Sequence, residues 1–149
     1  MRVALLLSVL AFNTCTTANV AEKTESESVE IETIARGGYA VDESDRKAIL
    51  ATNDADYRSQ WQALIHQGDI PEVDFDRSVV VFLLAGMRNT GGWSVAPESA
   101  RVEGDTVIVK AKIQGPPPGG MVTQAITYPY AVVAIQVRGV EKVRWDPSE

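Results

Sequence analysis

The chain has 149 residues, with 20 acidic against 14 basic side chains, one histidine and one cysteine. That length makes one domain with a single core, and the acidic balance argues against nucleic acid or an anionic membrane surface as partners. With Cys15 the sole cysteine, a disulfide within the fold is excluded, and a His/Cys zinc site cannot be assembled.

Arg2 and the apolar run at residues 3–12 open the chain. The run is too short for a bilayer, which takes roughly 20 residues, and it suits the apolar region of a secretory signal. Two processing routes are open. Thr16-Thr17-Ala18 offers small residues for cleavage after Ala18, which makes 1–18 the signal peptide. Alternatively Cys15 is the lipidated residue of a lipoprotein and the signal is 1–14, although Phe12-Asn13-Thr14 lacks the small residue a lipobox places before its cysteine. The first route leads to the periplasm or cell envelope, the second to a membrane-anchored lipoprotein. Residues 19–28, which carry Glu22, Glu25 and Glu27 among Ser and Thr, read as a solvated polar tether. Residues 29–147 read as the folded domain.

Val29-Glu30-Ile31-Glu32-Thr33 alternates apolar and charged residues, as a half-buried strand does, and Gly37-Gly38 breaks it. Residues 46–50 form a second short strand. The period then changes. Tyr57, Trp61, Leu64 and Ile65 follow helical spacing, with Asn53 or Asp54 to cap the start, and Gly68 and Pro71 past the end. Residues 79–85 are continuously apolar, which predicts a strand covered on both faces. Trp93-Ser94-Val95 starts another strand, and Pro97 confines it to an edge or a bulge. Glu103-Gly104-Asp105 is a hairpin turn. After it Val107, Val109, Ala111 and Ile113 share one face, with Lys110 and Lys112 on the other. Residues 131–137 make a further strand, Gly139 a turn, and residues 143–145 a short last strand. These elements predict an α+β domain. A mainly antiparallel sheet of six or seven strands, sandwich- or barrel-like, carries one packed helix.

Candidate catalytic residues are few. His66 sits where a histidine serves the last helix carbonyls and the dipole. Asp54, Asp56, Asp74 and Asp76 lack the glycine and terminal glutamate spacing of a calcium loop and read as caps and turns. There is no Gly-x-Ser-x-Gly motif. No catalytic residue, cofactor or metal is therefore expected, and the chain reads as a non-enzyme. Two loops remain. Arg88-Asn89-Thr90-Gly91-Gly92-Trp93 is either a tight turn whose glycines supply positive φ or a bare-backbone loop flanked by the Arg and aromatic side chains that interfaces favour. Gly115-Pro116-Pro117-Pro118-Gly119-Gly120-Met121 is either a strand crossover or a stiff polyproline segment that loses little entropy on binding. Arg88, Thr90, Gly91, Gly92, Trp93, Pro116, Pro117, Pro118 and Met121 are thus the candidate partner-binding residues. The alternative is a small-ligand or envelope-polymer site in a pocket between the two loops.

Three segments together resemble one family. They are Val73-Asp74-Phe75 before the strand at 79–85, then Gly86 with Thr90-Gly91-Gly92-Trp93, then Pro118-Gly119-Gly120-Met121-Val122-Thr123-Gln124-Ala125 running into Tyr128-Pro129-Tyr130. This pattern is similar to the PrcB C-terminal domain, named for the PrcB subunit of a bacterial protease complex, over residues 31–137. Trp93 stands where the family often has Tyr. The resemblance implies an exported, non-catalytic accessory protein that binds or stabilises a protease, and the interaction reading extends this to a module that assists or inhibits an extracytoplasmic protease.

Overall fold

The computed structural model describes residues 26–41 and 44–148. The expected signal segment, Cys15 and most of the expected tether lie outside the described residues. Within them, eight strands and one helix follow in the order β1 (Glu27–Val29), β2 (Ile31–Gly37), β3 (Lys47–Ala51), α1 (Asp54–Leu64), β4 (Val79–Leu84), β5 (Ser94–Glu103), β6 (Thr106–Gln114), β7 (Tyr130–Ile135) and β8 (Lys142–Pro147). They form two four-stranded sheets, β1-β5-β6-β8 and β2-β7-β4-β3. The result is an α+β sandwich and not a closed barrel. All pairings are antiparallel except β6 with β8.

The apolar run of β4 explains the layering. Val79, Val81 and Leu83 pack between the sheets with Val95, Val107, Val109, Ala111, Val133 and Ile135. Val80, Phe82 and Leu84 point the other way, into a second core with Tyr57, Trp61, Leu64 and Ile65. A strand buried on both faces cannot carry a polar alternation, and each such side chain removed from water contributes about 1.5–3 kcal/mol. The helix therefore covers the outer face of the β4 sheet.

α1 begins as its sequence predicts. Asn53 is the cap, and its side-chain oxygen accepts from the Asp56 amide at 2.8 Å. At the other end the first left-handed position falls on His66 (φ 57), and the expected Gly68 is left-handed as well (φ 77). The amides of Ile65 and His66 both donate to the Trp61 carbonyl, so the backbone of His66 closes the helix. Tyr57 Oη donates to the Pro71 carbonyl at 3.0 Å and pins the returning chain.

The number of strands differs from expectation because the predicted strand at 29–33 is two strands. Val29 pairs with Ala100 in one sheet and Ile31 with Ile135 in the other, so the chain changes sheets at Glu30. Val29 and Ile31 both pack on the inter-sheet core. The alternation of the sequence survives the crossing and hides it. Glu27 and Ser28, read as the end of the tether, already belong to β1. Pro97 sits as expected, beside a register shift between Pro97 and Ser99, where β1, which pairs only with residues 100–102, offers β5 no neighbour.

Candidate functional site

Register places the two loops at one end of the sandwich. Leu84 pairs with Tyr130 and Ser94 with Gln114, so the β4–β5 loop and the β6–β7 loop leave the strands side by side. The chain enters the described fold at the opposite end, where Glu27 pairs with Val102 next to the Gly104 turn.

The loops then lock together. Arg88 and Thr127 exchange backbone hydrogen bonds of 2.8 and 2.9 Å, and the Gly91 amide donates to the Thr123 carbonyl at 2.9 Å. The Thr127 hydroxyl donates to the Thr90 carbonyl at 2.8 Å. A Cβ on Gly91 would overlap the Thr123 hydroxyl oxygen, so Gly91 is required for close approach. The positive φ expected of this turn belongs to Gly92 (φ +82), where a Cβ would also stand 2.9 Å from Pro116. The two loops thus touch directly at Gly91 and Gly92, between the segments expected to flank a ligand pocket.

Arg88 and Trp93 are built into this joint. The guanidinium carbon lies 5.1 Å from the Trp93 ring centroid. Its Nη2 donates to the Ala85 carbonyl at 3.0 Å, while Nε is buried with no partner among the described residues. Trp93 Nε1 donates to the Thr90 hydroxyl at 3.2 Å, and its ring rests against the backbone of Gly115. The proline segment is also more structured than an extended polyproline stretch. The Gly120 amide donates to the Pro117 carbonyl at 2.9 Å across Pro118 and Gly119 (φ +76), as in a type II turn.

Of the candidate partner-binding residues, Gly92, Pro117, Pro118 and Met121 are exposed. Arg88, Thr90, Trp93 and Pro116 are half-buried, and Gly91 is buried. The large apolar side chains left exposed among the described residues are Tyr39 (59%), Met87 (42%), Met121 (102%) and Ile126 (55%). All four belong to this end: Tyr39 pairs with Tyr128, Met87 precedes Arg88, and Ile126 precedes Thr127. Sequence reasoning missed Tyr39, Met87 and Ile126. The signal was there, since each is a large apolar residue in or beside a glycine- or proline-punctuated loop without strand or helix period.

The remaining candidates lie elsewhere. His66 is exposed at the end of α1. Asp74 turns the chain before β4 by accepting from the amides of Asp76, Arg77 and Ser78. Lys110 is exposed on the outer sheet face beside Glu98, at 3.8 Å. Among the described residues no group of three or more His, Cys, Asp and Glu side chains is placed to hold a metal, and no helix is long and apolar enough to cross a membrane. A cleft of about 470 Å³ lies between β2, β7 and residues 71–78, lined by Glu32, Glu72, Asp74 and Arg77 among others. It is at the far end of β4 from the loops, near Ser78 and Gln136.

Residues 79–136, from the start of β4 to the residue after β7, match the family described as PrcB C-terminal. The match contains both loops of the joint and bears out the family resemblance over those residues; Val73-Asp74-Phe75, β1 to β3, α1 and β8 fall outside it. No curated protein and no solved structure matches the chain.

Proposed function

We propose that the protein is an exported, non-catalytic interaction domain of the bacterial cell envelope. It docks on another envelope protein, an extracytoplasmic protease, through the end of the sandwich built by residues 86–93 and 115–128. One observation carries this reading. The exposed large apolar residues of the described chain gather at one end, on loops that hydrogen bonds and glycine contacts hold rigid. Exposed apolar surface that gathers in one place marks an interaction site, and a preformed loop loses little entropy on docking. The protease as partner is supported by the family match. Export is supported by the apolar run at residues 3–12. A non-catalytic role is supported by the surface itself, whose joint is made of backbone, Thr, Arg and Trp groups bonded to one another.

The test is affinity capture from the native envelope with the wild type and with Met121→Ser/Ile126→Ser. Both side chains are exposed, so the variant is expected to melt within about 0.5 kcal/mol of the wild type. Loss of a captured protease in the variant supports the reading. The same proteins in the same amounts would refute it.

A further inference from the structure

The two joined loops carry one charge, and the backbone of Asp45 and Arg46, from the segment before β3, lies against Gly86 beside them. Across residues 86–97 and 113–130 the only ionisable acidic or basic side chain, tyrosines aside, is Arg88, in a chain of net charge −6. The ion pairs among the described residues do not include Arg88. Its guanidinium is nonetheless fixed. It lies over Trp93, and Nη1 and Nη2 reach the carbonyls of Met87 (3.4 Å) and Ala85 (3.0 Å). Met87 and Ile126, which precede Arg88 and its bridge partner Thr127 in the chain, and Met121 on the adjoining loop, are exposed.

We infer that this surface takes an acidic, apolar protein segment, with a carboxylate set against Arg88 and apolar side chains on Met87, Met121 and Ile126. The inference rests on the interaction reading above and names the chemistry of the partner. A guanidinium already oriented by stacking and backbone bonds gives up little further entropy when it pairs, and its planar fork matches a carboxylate. A methionine rim adapts to apolar side chains of varied shape. A single cation is too little for an anionic bilayer, where recognition takes clusters of about four to eight Lys and Arg.

The experiment titrates the purified full chain with short synthetic peptides. All share the same Leu and Met flanks and differ in one central residue: Glu, Gln or Lys. The wild type is expected to bind the Glu peptide at least about tenfold more tightly than the Gln peptide at low salt, and the Lys peptide most weakly. Arg88→Gln is expected to erase the difference between Glu and Gln, and Arg88→Glu to favour Lys. Because Arg88 also supports the joint, Met121→Asp serves as a second variant on a fully exposed side chain. It is expected to weaken the Glu peptide selectively with an unchanged melt. Equal binding of the three peptides, a preference that survives Arg88→Gln, or no peptide binding at all would overturn the inference. So would binding only to vesicles of anionic lipid, or self-association that masks the end. Capture from the envelope is scored separately. A partner lost in Met121→Ser/Ile126→Ser without any acidic preference leaves the interaction reading standing and removes this one.

Discussion

Gly91 and Thr123 approach so closely that the amide of the first donates to the carbonyl of the second at 2.9 Å, and a Cβ on Gly91 would overlap the Thr123 hydroxyl oxygen. This contact ties the β4–β5 loop to the β6–β7 loop and sets the shape of the proposed surface. Gly91→Ala is expected to destabilise the fold by about 1–3 kcal/mol through overpacking. Thr123→Ala leaves Cβ atoms at 3.6 Å, an ordinary contact, so it is expected to restore most of the loss in the double variant. Denaturant melts of the four proteins check this, and additive effects would show that the two residues do not share the contact.

Trp61 is expected to be a main support of the second core. It is 4% exposed and meets Tyr57 edge-on at 5.9 Å. Trp61→Ala should cost about 3–5 kcal/mol. A loss under about 1 kcal/mol by urea melt would make the helix peripheral to the fold.

Burial pushes the Tyr57 phenol up to about 12, with Arg58 opposing the shift and Asp54 adding to it. Burial also raises Tyr130. A raised acid is held neutral in the folded state, so its contribution is complete below the unfolded value near 10. It is lost as pH rises from about 10 through about 12. Stability is expected to fall across that window, and Tyr57→Phe to reduce the slope while Tyr130 keeps part of it. Urea melts from pH 8 to 12 give the slopes; identical slopes would contradict the assignment.

Ile108 faces away from the inter-sheet core yet is fully buried. It lies between Arg101 on β5 and Arg144 on β8, which share Glu103 at 3.2 and 3.9 Å, while Arg101 also reaches Asp146 at 3.3 Å. Arginine stems flanking an apolar residue in adjacent strands are of a length to cover it. Ile108→Ala is expected to cost about 2–4 kcal/mol, whereas 0.5 M salt, which screens such exposed ion pairs, should change the wild-type melt by under about 1 kcal/mol. The reverse ranking would place the stability in the charges.

The elements with a long regular period were legible. Tyr57, Trp61 and Leu64 marked one helix face, and the apolar run of β4 announced burial on both faces. What the sequence hid depends on contacts between distant segments. The sheet change at Glu30 leaves the alternation of Val29 and Ile31 intact, so no local signal marks it. Arg88 and Trp93 look like free interface anchors in sequence, but Ala85, Thr90 and Gly115 hold them in the joint. Conversely Met87 and Ile126 look like ordinary apolar residues, and only the closure of the two loops leaves them outside.

The proposed docking end is tested most directly by a photo-crosslinking amino acid placed at Met121 in the full chain, with the same group at Lys110 on the outer sheet face as control. Both positions are exposed, at opposite kinds of surface, one apolar and one charged. The expected result on irradiating native cells is a defined adduct to one protein from position 121 and none from position 110. No adduct from 121, or an adduct from 110 alone, would contradict the loop end as the docking surface.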